Sequence, residues 1–457
     1  METERNVLCN QDGENGGKPH HVIGVMEDER EWLASMEAKL NQNPQLLSKS
    51  AGKKSCCIFR VPQSLVEINK KAYQPHIVSM GPYHHGKEHL KMIQEHKWKY
   101  LAAMLNRTRN HGVEFKDLYA ATKSMEHQIR ECYSETIQFR SGELIEMMVL
   151  DGCFVIELFS IVGKLVQGDL DDPIFTMSWV FPFFTRDFLR LENQIPYFVL
   201  ETLFELTVLG SINIDNPPTV AKLALEFFNY MVQRDVEVLE QYHNLSAKHL
   251  LDLYRLSFIP SSQEETRDIS PFLHLIPSAK RLHLAGIEFK PRKASSFLDI
   301  DFRNGVLEIP PLTIDDFSSS VFLNCVAYEQ CYCYCTKHIT TYATLMGCLI
   351  NTAGDAGFLS DQKIIENYFG TDEEVARFFS NVGKDVAFDI QRNYLSELFE
   401  GVNEHYRNHW QVGWASFKHT YFDTRWSFMS ALAALILLLL TVVQAFFAIY
   451  GYVRPAK

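Results

Sequence analysis

Three acidic and amide-rich constellations interrupt apolar stretches of this chain, and they are where general acid–base chemistry would have to sit. The first is Asp151-Gly152 within Met147 to Phe159. The second is Asp187 with Glu192-Asn193-Gln194, just ahead of Ile195-Pro196. The third is Asn324 with Glu329-Gln330. A charge buried without a partner is costly, so each carboxylate needs backbone donors or a basic neighbour. An enzyme would use Asp151, Asp187 and Glu192 as its acids and bases. A structural hydrogen-bond network is the favoured reading, because such networks perturb acids without catalysis. Pro196 cannot donate to the Glu192 carbonyl, so the neighbouring amide side chains are expected to satisfy loosened backbone, and Asn324 is placed to meet the other groups across the core.

The stretch Pro75-His76-Ile77-Val78-Ser79-Met80-Gly81-Pro82-Tyr83-His84-His85-Gly86 is the best candidate metal centre or alternative active site, with imidazoles at His76, His84, His85 and His89. Its spacing matches no zinc signature, and adjacent His84 and His85 side chains diverge on most backbones. Packing and loop hydrogen bonding are the expected roles. Cys331, Cys333 and Cys335 alternate with tyrosines; residues two apart on a helix do not face one another, so buried, inert thiols are expected there. The chain has no Gly-rich loop followed by Lys-Ser/Thr, no G-x-S-x-G and no H-E-x-x-H. No cofactor is expected.

Helical periodicity sets most of the positioning elements. Trp32, Met36 and Leu40 recur every four residues after a polar segment, 1–26, that reads as disordered, and a Lys/Ser/Gly linker is expected at 48–55. Leu118, Thr122, Met125, Ile129, Cys132 and Thr136 fall on one helical seam. Further helices are expected over 142–165, over 186–206 with Pro196 inside, and over 219–242 after Pro217-Pro218. The Asp151 helix is expected to be interrupted at Gly152. Between 286 and 310 the period drops to two. Leu298, Ile300 and Phe302 alternate with Asp299, Asp301 and Arg303, and Asn304-Gly305 suits a type I′ hairpin turn. That register sets Phe302 against Leu307 and Asp301 against Glu308, a repulsive pair needing a cation such as Arg303 or a lysine of the 288–290 segment. Helix is expected again from 315 to 410.

The 457 residues, 46% hydrophobic, can bury a large core arranged as two lobes. A net charge of -12 with no Lys/Arg-rich run argues against nucleic acid as a partner. The ten cysteines lack the spaced framework of a small secreted disulfide protein, so reduced thiols are the simpler expectation. From Phe428 to Tyr450 the sequence is almost unbroken hydrocarbon, long enough for a helix across a bilayer core of about 30 Å. Trp426, Tyr450 and Tyr452 suit its interfaces. With no signal-peptide pattern at the start and this span near the end, the expectation is a single-pass, tail-anchored protein whose body lies in the cytosol.

The residues above also carry a family resemblance. Ile58-Phe59-Arg60-Val61-Pro62, the Pro75-to-Gly86 stretch, Met148-Val149-Leu150-Asp151-Gly152-Cys153-Phe154 and Leu191-Glu192-Asn193-Gln194-Ile195-Pro196 are among its motifs. Asn324 to Gln330 and the terminal apolar run complete them. In that order they resemble the plant proteins grouped as domain of unknown function 247. Arg190 and Gly354-Asp355-Ala356 depart modestly from the pattern. The resemblance implies a mainly α-helical body with a membrane anchor and no catalytic residues to carry over. Some relatives are associated with pollen and stigma self-incompatibility in grasses, which implies recognition at a membrane. The expected function is a non-enzymatic recognition or scaffold protein that contacts lipid through residues 428–450 and acts through a protein partner.

Overall fold

The computed structural model describes residues 27–40, 46–169, 171–209, 217–260, 275–368, 370–383, 386–387, 393–407 and 425–453. The chain divides into two units, Met1–Leu46 and Leu47–Lys457. In the first, the acidic segment forms α1 (Glu27–Leu40), with Trp32 and Leu40 exposed. The segment expected to be disordered, 1–26, lies outside the described residues.

The second unit is mainly helical. Its 48–55 segment is folded rather than a free linker: the Ser48 N–H donates to the Ser134 carbonyl at 2.9 Å, and Ser50 is buried. After α2 (Gln63–Val66), α3 (Lys91–Thr108) turns Ile93, Lys97, Tyr100, Leu101 and Met104 inward. The seam expected from 118 to 136 is split between α4 (Phe115–Ser124) and α5 (Glu126–Glu131). Leu118, Thr122 and Ile129 are buried as the periodicity requires, but the helix stops before Cys132. There the Cys132 carbonyl accepts from the Cys57 and Ile58 N–H groups, and Tyr133 forms a parallel bridge with Ile58. Extended pairing takes over the backbone groups that another helical turn would need. Thr136 is exposed as a result.

At the centre is α6 (Ser141–Val162), buried at nearly every position from Leu144 to Ser160. It packs against α3 and α4 on the N-terminal side. The helix runs through Gly152 without interruption. Glycine lets the next packed helix come close: a Cβ would lie 2.5 Å from Leu203 Cδ1, so that side chain would have to shift. Next come α7 (Pro173–Thr176) and α8 (Val180–Phe188), then an irregular turn, then α9 (Tyr197–Phe204). The single helix expected over 186–206 is therefore two. Pro196 does not kink a helix; its φ of -60° and ψ of 136° place it at the N-cap of α9, and the residue before a proline is disfavoured from helix.

Thr219 caps α10 (Val220–Val232) by accepting from the Lys222 N–H. The helix expected to continue to 242 ends at Gln233, which is left-handed at φ 53°, and resumes as α11 (Val236–Glu240). Asn229 makes the break stable by bonding both the N–H and the carbonyl of Arg234. Around α6, α8 and α10, Phe154, Phe159, Phe184, Phe188, Phe227 and Phe228 form a contiguous ring cluster. Each buried phenylalanine contributes about 1.5–3 kcal/mol of hydrophobic stabilisation.

Beyond α12 (Leu250–Leu256) and α13 (Ala279–Leu284) the chain enters a small sheet, with β1 (Glu288–Pro291), β2 (Asp301–Arg303) and β3 (Val306–Ile309) in the order β1-β3-β2. The hairpin has the expected register, Phe302 opposite Leu307 and Asp301 opposite Glu308. Asn304 and Gly305 both have positive φ, 52° and 80°, as a type I′ turn demands. The neutralising cation is chiefly Arg292, just past β1, which reaches Asp299, Asp301 and Glu308; Arg303 also pairs with Asp301.

The remainder is not wholly helical. β4 (Leu312–Ile314) pairs in parallel with β5 (Ile365–Asn367). Between and after them lie α14 (Asp316–Cys331), α15 (His338–Leu349), α16 (Ala353–Asp361), α17 (Asp372–Val382) and α18 (Ser396–Arg407). The terminal helix, α19, spans Arg425–Val453. Its side chains are described without a break only from 432 to 446, and all of these are exposed. Among the described residues, no helix is long and apolar enough to cross a membrane.

Candidate functional site

The segment from Cys56 to Lys87 is mostly irregular, so its backbone N–H groups need partners from elsewhere. The acidic constellations supply them. Asp187, at the end of α8, is fully buried and accepts from three successive N–H groups, those of His76, Ile77 and Val78, at 2.8 to 3.1 Å. Arg190 closes the same carboxylate with Nε at 3.0 Å. Its other nitrogens reach the Lys71 carbonyl and His76 Nδ1, both at 2.7 Å. Burial lowers the Arg190 pKa, and Asp187 opposes that shift.

Further along the segment, Asn193 Oδ1 accepts from the Met80 N–H at 2.7 Å, while its amide donates to the carbonyls of Val78 and Asp187. Asp151, from the middle of α6, accepts from the Gly81 N–H at 2.7 Å and from Lys97 Nζ at 2.6 Å. Gly81 has a φ of 68°, and a Cβ there would lie 2.6 Å from the Gln194 carbonyl oxygen. Only glycine fits so close an approach at that conformation.

The expected amide satisfaction near Pro196 is present, but on different carbonyls. Gln194 donates to those of Phe188 and Arg190, both at 2.7 Å, closing the end of α8. Its Oε1 accepts from the Leu251 N–H. Asn324 joins across the core: Oδ1 accepts from the Leu191 N–H at 2.9 Å, and Nδ2 donates to the Ala72 carbonyl at 2.9 Å.

Glu329 belongs to a second centre. It accepts from Arg255 and from the N–H groups of Ile339 and Thr340, and Arg255 also binds Asp252. Burial raises the Glu329 pKa, while Arg255 and the backbone donors pull it down less strongly. Gln330 stands at its margin, donating to the Thr340 hydroxyl at 3.4 Å and bonding both backbone groups of Ala387.

Glu192 lies at the edge of the first centre, where its carboxylate accepts from the Val61 N–H and Arg60, each at 2.9 Å, and lies 3.2 Å from His84 Nε2. Burial alone would raise its pKa; the contacts from His84, Val61 and Arg60 outweigh that and lower it. The four imidazoles do not converge on one point. His76 serves Arg190, His84 faces Glu192, His85 packs edge-on against Phe139, and His89 bonds the Pro75 carbonyl. Among the described residues, no group of three or more His, Cys, Asp or Glu side chains could hold a metal ion.

Cys331 ends α14 and Tyr332 turns extended, so the cysteine run leaves the helix. Contrary to expectation, Cys333 is exposed. Burial pushes the Cys331 and Cys335 thiols up to about 12, well away from thiolate chemistry. The described cysteines are all free.

The cations Arg60, Lys97 and Arg255 complete these centres without having been singled out in the sequence. Lys97 carried a signal: it lies four residues after Ile93 and seven before Met104, on the inward seam of α3. A lysine on an apolar stripe implies a buried carboxylate opposite.

A family description reading "plant protein of unknown function", DUF247, matches residues 58–440. UPF0481 protein At3g47200 of Arabidopsis thaliana is 42% identical over 441 residues, covering 91% of each chain. Putative UPF0481 protein At3g02645 of the same plant is 25% identical over 515 residues, covering 93% of this chain and 96% of that one. No solved structure matches. With motifs, buried polar centres and a match over most of its length in agreement, the chain belongs to the DUF247 family of plant proteins.

Proposed function

We propose that this protein is a non-enzymatic recognition or scaffold protein held at a membrane by α19, its helical body meeting a protein partner. The observation that carries the reading is the exposed row of apolar side chains on α19, interrupted between 432 and 446 only by Thr441 and Gln444. Leu435, Leu437, Leu438, Leu439, Leu440 and Phe446 all stand open. Contiguous apolar surface of that kind marks an interaction with lipid or protein. The apolar sequence continues on both sides of it, from Phe428 to Tyr450, at a length suited to a bilayer.

The inner polar centres support a structural role. Asp151 and Asp187 have their carboxylates taken up by backbone N–H groups and by fully buried Lys97 and Arg190, which leaves little capacity for a substrate. Free thiols at Cys57 and Cys132, beside one another across the bridge, suit a body in a reducing compartment. The net charge of -12 disfavours nucleic acid as the partner.

The test compares the full chain with one ending at Thr424. The full chain is expected to stay with membranes through alkaline carbonate washing, and the shortened one to be released. Extraction of the full chain into carbonate would overturn the anchor. Protease protection on sealed vesicles reads the side on which the body lies. Proximity labelling from both forms separates neighbours of the body from neighbours of the membrane.

A further inference from the structure

At the outer edge of the first polar centre, Lys87, His84 and Glu192 form a relay. Lys87 Nζ lies 2.7 Å from His84 Nδ1, and His84 Nε2 lies 3.2 Å from Glu192 Oε2. A lysine N–H donates only to a ring nitrogen that carries no proton, so the tautomer must place its proton on Nε2, toward the carboxylate. The Nε2 contact is bent away from hydrogen-bond alignment, so Glu192 orients the ring by charge. Glu192 is itself held by Arg60 and the Val61 N–H. His84 is 2% exposed, whereas Lys87 is half-buried and follows exposed Gly86, around whose Cα there is open space. The amine of a half-buried lysine therefore sits on a base whose far side is anchored.

We infer that Lys87 is a nucleophilic amine that captures a small aldehyde or ketone as an imine, with His84 as its proton acceptor and Glu192 as the positioning residue for His84. Nucleophile, base and orienting group within contact distance of one another are the geometric signature of an activated nucleophile. The electrostatics agree. Burial lowers the Lys87 pKa and Arg60 and Lys70 add to that, with Glu192 opposing. Burial also lowers the His84 pKa, which keeps the imidazole neutral and able to accept a proton.

The step balances without a cofactor or an oxidant. The neutral Lys87 nitrogen forms a bond to the carbonyl carbon as the C=O π bond breaks, and one N–H proton passes by way of His84 Nδ1 to the oxygen, giving the carbinolamine. The second N–H proton follows the same route to the hydroxyl, which leaves as water as the C=N bond forms. The inference does not rest on the membrane reading. A recognition protein with such a site would hold its ligand covalently and reversibly.

A lysine that only braces His84 would stay protonated and react no faster than a surface lysine. The test exposes the full chain in detergent to limiting propanal and cyanoborohydride and follows each lysine by peptide mass spectrometry. Help from a positioned base supports labelling of Lys87 about tenfold faster than exposed Lys53 and Lys91. The Lys87 rate is also expected to level off at lower pH than theirs, under the field of Arg60, Lys70, His84 and Glu192. In His84→Gln and Glu192→Gln variants that keep the native circular dichroism, the advantage is expected to disappear. Lys87 labelling no faster than Lys53 in the unaltered protein would overturn the inference whether or not the variants fold. So would a fast Lys87 that is indifferent to His84→Gln.

Discussion

Lys97 and Asp151 form an ion pair at 2.6 Å in which both side chains are completely removed from solvent. Neither charge depends on the other alone. Lys97 also donates to the Ser79 carbonyl and Gln94, and Asp151 also accepts from the Gly81 N–H. The pair therefore links α3 and α6 to the Ser79–Gly81 turn, and removing one partner leaves the other as a buried, uncompensated charge.

For that reason Lys97→Met is expected to destabilise the body by about 3–5 kcal/mol. Lys91→Met, on the solvent face of the same helix, should change stability by no more than about 0.5 kcal/mol. Urea unfolding followed by circular dichroism measures both. Equal midpoints for the two variants would contradict the burial of the pair.

Asp187→Asn keeps the side-chain shape but replaces one acceptor oxygen with an N–H donor facing the amides of Ile77 and Val78. It also leaves Arg190 without its counter-charge. A loss of about 3 kcal/mol or more is expected, together with faster proteolysis between residues 70 and 87. A variant as protease-resistant as the parent would show that the three amides are held by something else.

Gly81 and Gly86 both have positive φ, but only Gly81 faces a backbone oxygen where a Cβ would go. Gly86→Ala should cost about 1–2 kcal/mol, the left-handed penalty alone. Gly81→Ala should cost distinctly more, because the Gln194 carbonyl and Tyr133 hydroxyl must also move. Thermal melts of the two variants provide the comparison.

His338 is stacked on Tyr394 with neither ring nitrogen hydrogen-bonded, and burial lowers its pKa from 6.5 to about 4. Between those values the unfolded chain binds a proton that the folded chain refuses, so this residue's contribution to stability is lost as pH falls through that window. The effect is up to about 3 kcal/mol. His249, lowered to about 4 by burial, acts in the same direction, whereas Glu157 and Glu329, both raised, act in the opposite one. His338→Phe keeps the stacking and removes the titration. It should therefore be more stable than the parent at pH 5 by urea midpoint and nearly equal at pH 8, whereas parallel pH profiles would count against the assignment.

What could be read from the sequence was the local physics. Phe302, Asn304, Gly305 and Leu307 fix a hairpin within a few residues, and the structure has that register. The constellations around Asp151, Asp187 and Asn324 were legible as groups needing partners, because burial of charge is costly whatever the fold. Their partners were not legible. Asp187 binds amides 109 to 111 residues away, and a backbone N–H has no signature in the residue type that carries it. β5 escaped for a related reason: three residues long, it exists only because β4, 53 residues earlier, offers an edge. The overlong helix at 186–206 shows the opposite error, in which apolar periodicity continued through a turn whose carbonyls are bound by Gln194.

The gripping of residues 76–81 by their main chain has an evolutionary and kinetic side. Carboxylates that hold amides care little which side chains those amides belong to, so residues 77 and 78 can drift among apolar types while proline is barred at each held N–H. The same loop cannot be clamped until two distant helices have already met. It should be the last piece to lock during refolding and the first to open, so hydrogen exchange at Ile77 and Val78 would outpace that at Leu150.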